Sequence, residues 1–317
     1  MTGRPRVLCL AGGVGGAKLA EGLQAAVGEA LTVVVNTADD VERHGLLVMP
    51  DHDTVMYTLA GRENEEQGWG LRDETWQVLA ALERLGEATW FRLGDGDIAV
   101  HLARHERLRR GMSLTEACRE LQRALGVRAR ILPMTETPVR TRVRTDDGWL
   151  DFQDYFVRLR QAPEVHEIAF AGIEAATPTD DVRAAIGAAE IVVVAPSNPL
   201  VSIAPILAVP GMTGALAAAK ARGVPVVAVS GIVGGRALKG PADRMLASLG
   251  HEPSALGVAR GYVGLADVFV LDRVDAALAR SVEALGLRAV VTDTIMTDDA
   301  SRARLAREVL DAVTPRR

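Results

Sequence analysis

Four glycines crowd one short stretch, Gly12-Gly13-Val14-Gly15-Gly16, between an apolar run from Val7 to Ala11 and helical apolar spacing from Ala17 to Val27. A strand, a glycine loop and a helix in that order make a cradle for phosphate. The glycines let backbone N–H groups approach an anion with no Cβ in the way, and the helix N-terminus adds partial positive charge. Lys18 stands at the helix start, where it meets either a phosphate or a surface carboxylate. The loop fits no standard nucleotide template: Gly13-x-Gly15 begins a dinucleotide fingerprint, but Lys18 occupies the third glycine position, and no Gly-Lys-Ser/Thr follows. A packing turn between helix and sheet explains the same glycines, so the loop alone leaves both readings open.

Carboxylates gather at the ends of the neighbouring apolar runs. Leu31 to Val35 reads as a strand ending in Asn36-Thr37-Ala38-Asp39-Asp40, about where a βαβ unit places a ribose-reading residue. Pro50-Asp51-His52-Asp53-Thr54 follows; one Asp there is explained as a helix cap, but not the second. Acids beside a phosphate loop fit Mg²⁺, which takes one or two carboxylates plus phosphate oxygens. Trp90 to Leu93 reads as a short strand running into Gly94-Asp95-Gly96-Asp97, an ordinary turn or a ligand loop. Ile191 to Ala195 is a buried strand ending in Pro196-Ser197-Asn198-Pro199, whose prolines exclude a helix immediately after it.

These pieces require a scaffold that brings strand ends together. The apolar runs alternate with helical spacing, which predicts an α/β fold: a Rossmann-like, doubly wound, mostly parallel sheet with ligands beyond the carboxyl ends of its strands. The chain of 317 residues reads as one domain, 1–317. Roughly residues 100–165 differ in texture and form a candidate inserted α/β subdomain. It contains strands at Val127 to Leu132, Val139 to Val143 and Trp149 to Phe152, the last two joined in a hairpin through Asp146-Asp147-Gly148. Trp149, Phe152, Tyr155 and Phe156 supply an aromatic cluster, for core packing or for a flat substrate. The Arg- and His-rich run from His101 to Arg110 reads as a solvated helical face. Ser113-Leu114-Thr115-Glu116 is a capping box for a helix reaching Leu125, and Asp298 and Asp299 cap a final helix.

Composition excludes several classes. A hydrophobic content of 48%, 24% charged residues and a net charge of −5 describe a globular chain without general affinity for nucleic acid or membrane surfaces. Two cysteines, Cys9 and Cys118, both placed in buried patterns, build neither a disulfide framework nor a cysteine metal site. The opening Met1 to Arg6 and the apolar run behind it have the outline of a signal peptide, but the run is too short, so the cytoplasm is the expected location.

Taken in order, the glycine loop, Asn36 to Asp40, Pro50 to Thr54, Leu93 to Asp97 and Pro196 to Pro199, with Ile131-Leu132-Pro133-Met134 and Phe152-Gln153-Asp154-Tyr155, resemble the 2-phospho-L-lactate transferases of coenzyme F-420 biosynthesis nearly end to end. The resemblance implies a magnesium-dependent transfer to 8-hydroxy-5-deazariboflavin from a guanosine diphosphate-linked three-carbon acid. The terminal ribityl hydroxyl attacks the phosphorus that bears the acid, GMP leaves, and the protein is a homodimer. By position, Asp53 and Arg92 match residues tied to the deazaflavin, while Gly12 to Lys18 and Ser197-Asn198 hold the guanosine diphosphate part. The expected catalytic set is Asp53, Asp51 and Arg92. The expected binding set is Gly12, Gly13, Gly15, Gly16, Lys18, Asn36, Asp95, Asp97, Ser197 and Asn198, with Asp51, Asp53 or Asp39 on Mg²⁺. Gly96 departs from the family pattern, which often carries Arg there; Arg92 or Arg104 are the cations at hand to replace it.

Displacement at phosphorus needs charge neutralisation and in-line positioning more than covalent help. Asp53 is the carboxylate expected to orient the attacking hydroxyl or accept its proton, and Asp53→Asn is expected to lower turnover with the fold intact. The other reading is a non-catalytic nucleotide-sugar-binding regulator of the gluconeogenesis-factor type. It would share the glycine loop but not bind the deazaflavin. A dehydrogenase is third, weakened by the incomplete fingerprint.

Overall fold

The computed structural model describes residues 4–314. Met1 to Gly3 of the signal-like opening lie outside the described residues, and the apolar run behind them is an interior strand of the main sheet. The strands are β1 Val7–Ala11, β2 Leu31–Val35, β3 Val41–Arg43, β4 Leu46–Val48, β5 Arg130–Pro133, β6 Arg140–Thr145, β7 Gly148–Asp151, β8 Glu167–Ala171, β9 Ile191–Val194, β10 Val226–Val229, β11 Ile232–Val233, β12 Arg236–Ala237, β13 Val268–Asp272 and β14 Arg288–Thr292. Seven of them form one sheet in the order β14-β13-β10-β9-β1-β2-β5, with every pairing parallel. The α/β, Rossmann-like expectation is met.

The reason lies in the side chains. Buried on both faces, β1 sends Leu8 and Leu10 into one core and Val7, Cys9 and Ala11 into the other. Val34, Val194 and Phe269 share the first side; Val33, Val193 and Val270 share the second. Continuous apolar strands of this kind need helices on both faces, which the crossover connections supply.

Chain order runs outward from β1 to β2 and β5, then returns to the other side of β1 as β9, β10, β13 and β14. The direction of winding therefore reverses between β1 and β9, and the carboxyl ends of these two strands carry Gly12 to Gly16 and Pro196 to Asn198. In open parallel sheets this reversal leaves a crevice, because successive connections cross to opposite faces there.

Five helices position the site: α1 Gly13–Val27, α2 Pro50–Leu59, α3 Gln77–Arg84, α4 Asp95–Arg109 and α5 Leu114–Ala124. Helix α1 begins inside the glycine loop, four residues before the sequence spacing shows it, and its first residue, Gly13, has a positive φ of 63° that glycine adopts without a Cβ clash. The Ser113–Glu116 capping box is present on α5, and Asp298 caps the last helix, Asp299–Asp311.

Several expectations are corrected. Residues 100–165 are not one insertion. Helices α4 and α5 pack on the main domain, and β5 pairs with β2 because Ile131 and Leu132 reach opposite cores. The distinct element is the antiparallel sheet β7-β6-β8, running on to Ala171, with the expected hairpin at Asp146–Gly148; its Val143, Phe152, Tyr155 and Val165 share a core with Val201 and Met245 of the main domain. Trp90 to Leu93 is no strand: its backbone joins no sheet, and the Arg43 guanidinium sits 4.3 Å over the Trp90 ring. Helical turns begin at Pro199 itself, since a proline at the first helical position forfeits no intrahelical bond. The run from His101 is not a solvated face: His101 and Arg104 are 1% and 0% exposed.

Candidate active site

The crevice at the β1/β9 reversal opens into a cavity of about 1040 Å³. Its lining runs from the glycine loop and Lys18 through a carboxylate floor, where Asp51 lies against Gly12 and the Asp39 carbonyl accepts from Gln153 Nε2 at 2.9 Å, to the stacked rings of Phe152 and Phe156 beside Gln153; Asp53, Trp90, Phe91 and Arg92 line it as well. Ser197 and Asn198 line it from β9, and the segment Glu65 to Gly70 covers the glycine end. This volume lies at the upper limit of ordinary small-molecule sites, about 300–1,000 Å³.

The glycines answer to packing and to the ligand space together. A Cβ at Gly12 would overlap Asp51 Oδ2, one at Gly15 the Pro196 carbonyl oxygen, and one at Gly16 Ser197 Oγ. Close approach of strand, loop and helix thus demands them. The same approach lets the Gly12 amide donate to Ser197 Oγ at 3.0 Å and the Gly13 amide to Asp51. The amides of Val14 to Gly16 belong to the first turn of α1, where the helix offers no acceptor.

Of the expected residues, Gly12, Gly13, Gly15, Lys18, Asp39, Asp51, Asp53, Arg92, Asp97, Ser197 and Asn198 line the cavity. Three do not. Gly16 packs behind the loop against Ser197 and Ala11. Asn36 is fully buried and positions Asp51, its Nδ2 donating to Oδ2 at 3.0 Å. Asp95 turns away because it accepts from the Gln77 and Val78 amides, both at 3.0 Å, and caps α3. Asn198 has a structural duty as well, its Oδ1 accepting from the Leu200 amide at 2.9 Å. Lys18 Nζ donates to the Met296 carbonyl at 2.8 Å while facing the cavity. Arg92 lies 4.2 Å over the Trp76 ring, and the Gly96 amide donates to Glu74 at 2.8 Å.

The three floor carboxylates divide into two kinds. Burial raises the Asp39 carboxyl well above its usual range, with Asp51 adding repulsion, and Asp39 Oδ1 is buried without a hydrogen-bond partner. Burial likewise raises Asp51 to about 6, against hydrogen bonds from Asn36, Gly13 and Ser202. Two carboxylates that repel each other at a cavity wall are residues that could hold a hard divalent cation. Asp53 differs. Burial pushes it up, but the Arg104 guanidinium, with His52 and His101, outweighs this and holds it well below the usual carboxylate range. One Asp53 oxygen binds Arg104; the other, Oδ2, has no hydrogen-bond partner.

Arg104 and His101 are the site residues that sequence reasoning misplaced. His101 bridges two acids, with Nδ1 3.7 Å from Asp53 Oδ2 and Nε2 3.3 Å from Asp97 Oδ1, and Tyr57 donates to Asp97 at 2.6 Å. Asp97, His101 and Arg104 are spaced by four and three residues, which puts them on one face of α4. That spacing was the available signal. Asp53, Asp97 and His101 also offer atoms within 4.8 Å of one another, as a metal set would. Arg104 and Tyr57 already engage both carboxylates, so a charge-balanced support for Asp53 describes the cluster better.

The comparisons bear on the whole chain. Residues 7–311 match the family of 2-phospho-L-lactate transferase CofD. The chain is 45% identical to a phosphoenolpyruvate transferase of Streptomyces griseus, over 96% of this chain and 98% of that protein. It is 39% identical to a 2-phospho-L-lactate transferase of Methanococcoides burtonii, over 92% and 94%. Among solved structures, a UPF0052 family member from Bacillus halodurans superposes with a TM-score of 0.64 at 16% identity, over 98% of this chain and all of that one, and so shares the fold. The cavity at the sheet reversal, its glycine loop and its carboxylate floor thus sit in a transferase that belongs to the CofD family.

Proposed function

We propose that this chain transfers a phosphorylated three-carbon acid, of the 2-phospholactate or phosphoenolpyruvate type, from its guanosine diphosphate ester to the terminal ribityl hydroxyl of 7,8-didemethyl-8-hydroxy-5-deazariboflavin. The bond from the acid-bearing phosphorus to GMP breaks, a bond to the ribityl oxygen forms, the hydroxyl proton is released to water, and the products are GMP and coenzyme F-420-0 or its dehydro form. The observation that carries the reading is that one cavity joins a glycine-loop end, a carboxylate floor and an aromatic end. That arrangement suits a nucleotide diphosphate and a flat heterocycle held at once. The names of the relatives supply the substrate class, and the higher identity to the phosphoenolpyruvate transferase favours an enolpyruvyl group.

In this reading the first-turn amides of α1 and Lys18 hold the donor's phosphates. Arg92, kept in place by Trp76, and the rings of Phe91 and Phe156 flank the deazaflavin. Asp53 stays ionised, because Arg104 stabilises the carboxylate, and as a cavity-lining acid it accepts a hydrogen bond from the attacking hydroxyl and aims it at phosphorus. A carboxylate held this acidic is a weak base, and its role is orientation more than proton abstraction. Asp39 and Asp51 are the residues that fit Mg²⁺, on the strength of the unpartnered Asp39 oxygen and the repulsion between the two acids. Bound there, the ion neutralises charge on the diphosphate.

Mass spectrometry of the product formed from the deazaflavin, Mg²⁺ and each guanylylated acid in turn (lactyl, enolpyruvyl, glyceryl) tests the proposal. A deazaflavin gaining one phospho-acid unit is the expected result, lost on adding EDTA. Binding of a nucleotide sugar with no deazaflavin binding would instead support the regulator.

A further inference from the structure

Lysine is rare in this chain, and its placement is uneven. Among 36 Lys and Arg residues only Lys18, Lys220 and Lys239 are lysines. Lys220 is committed to Asp267 at 2.9 Å, away from the cavity. The other two reach the glycine end of the cavity from separate segments, Lys18 from α1 and Lys239 from the turn after β12. They are close enough that, after burial and Arg302, the charge of Lys239 lowers the Lys18 pKa. Among the described residues each ammonium donates to a backbone carbonyl, Met296 for Lys18 and Gln67 at 3.4 Å for Lys239, and neither forms an ion pair. Glu65 and Glu63 act on Lys18 in the opposite direction, but Glu63 is paired with Arg302, and among the described residues neither lysine has a carboxylate of its own, which leaves two ammonium groups at the head of a glycine loop for a ligand of opposite sign.

Lys239 also touches the segment that covers this end. Gly68, with a φ of 76°, is buried at the tip of that segment, and a Cβ there would overlap Lys239 Nζ and come within 3.4 Å of Val14 Cγ2 in the glycine loop. The base is pinned separately: Glu63 is 3.1 Å from the buried Arg302, and the Asn64 amide donates to Gly70 at 3.0 Å. The tip therefore rests on Val14 and Lys239, while the base is tied to the protein interior.

We propose that Lys239 is a donor-binding residue, pairing with Lys18 on the diphosphate of a guanosine diphosphate-type ligand and holding the 63–72 segment over it. The proposal rests on the donor occupying the glycine end, as argued above. A lysine that both contacts the anion and donates to Gln67 links occupancy to closure, because removing it loosens the ligand and the cover together.

GDP is the probe, with Mg²⁺, on the full chain. Titration calorimetry is expected to give roughly tenfold weaker GDP binding for Lys239→Ala, the loss of one charge-assisted hydrogen bond, and near-native binding for Lys239→Arg. Thermal melting should be unchanged, since the side chain is exposed. A glutamyl-specific protease cutting at Glu65 and Glu66 supplies the second readout: GDP should protect the native protein and Lys239→Arg, but not Lys239→Ala at equal occupancy. Equal GDP affinity in native protein and Lys239→Ala overturns the proposal and leaves the nucleotide site standing. Equal protection at equal occupancy overturns the link to the cover. No GDP binding to native protein removes both the proposal and the donor assignment.

Discussion

Replacing Asp53 by Asn strikes two properties at once, and the structure sets the size of one of them. Arg104 has a fully buried side chain, and among the described residues its guanidinium meets, apart from Asp53, only the Leu47 carbonyl at 3.1 Å and His101 Nδ1 at 3.3 Å. Asn in place of Asp leaves that cation in the interior without its paired carboxylate. Two unit charges about 4 Å apart at an effective dielectric constant of about 20 interact by about 4 kcal/mol. Measured losses on breaking a buried pair from one side run about 3–5 kcal/mol. Against a total stability of about 5–15 kcal/mol for a domain, this is severe. The expectation from sequence that Asp53→Asn spares the fold is thereby revised: the variant should lose about 3–5 kcal/mol in urea unfolding followed by circular dichroism. Arg104→Met should lose a similar amount, and the double variant should lose less than the sum of the two, because the orphaned charge is gone. Turnover should not return in the double variant, since the Asp53 carboxylate is still missing from the cavity wall. The sign with pH follows from the depressed Asp53 pKa: its contribution is present above the unfolded value near 3.9 and lost as pH falls through the lower folded value. Asp53→Asn should therefore flatten the acid limb of the stability profile. Additive single losses, or an Asp53→Asn midpoint equal to native, would refute the reasoning.

Other consequences can be measured separately. Asp51 titrates near 6 when folded and near 3.9 when unfolded, so protonation favours the folded chain, and its contribution fades as pH rises through 6. Asp51→Asn should remove that slope, and in the native enzyme the Mg²⁺ concentration for half-maximal rate should rise as pH drops below about 6. Gly15→Ala should lower both melting temperature and GDP affinity, because its Cβ would push the Pro196 carbonyl out of place; intact GDP binding in a stable variant would contradict this. Ser113→Ala should cost about 1 kcal/mol through loss of the α5 cap, with kcat unchanged, since the Glu116 amide loses its acceptor far from the chemistry.

Much of the fold was legible because it rests on local signals. Strands such as Ile191–Val194 are continuous apolar runs that bury on both faces, and Ser113 with Glu116 marks a helix start whatever surrounds it. What local pattern misreads is a polar residue whose partner is remote. Arg104 looks solvent-bound beside Arg107, Arg109 and Arg110, yet it is buried because Asp53, 51 residues away, is waiting under α4. Asp95 looks like a ligand beside Asp97, yet it spends its oxygens on the start of α3.

By itself, then, the sequence determined the α/β class, the glycine loop, and the set of short polar motifs at strand ends, since periodicity and spacing are properties of neighbouring residues. Only the tertiary structure decided how those motifs divide the work. It put Asp39 and Asp51 together at the wall and tied Asp53 to a buried cation. It set Asn36 and Asp95 to holding the scaffold, and brought Lys239 into the cavity lining beside Gly68, which also meets Val14 of the glycine loop. Charge, burial and hydrogen-bond supply depend on which segments meet, and those meetings are fixed by the winding reversal beside β1, not by any one stretch of chain.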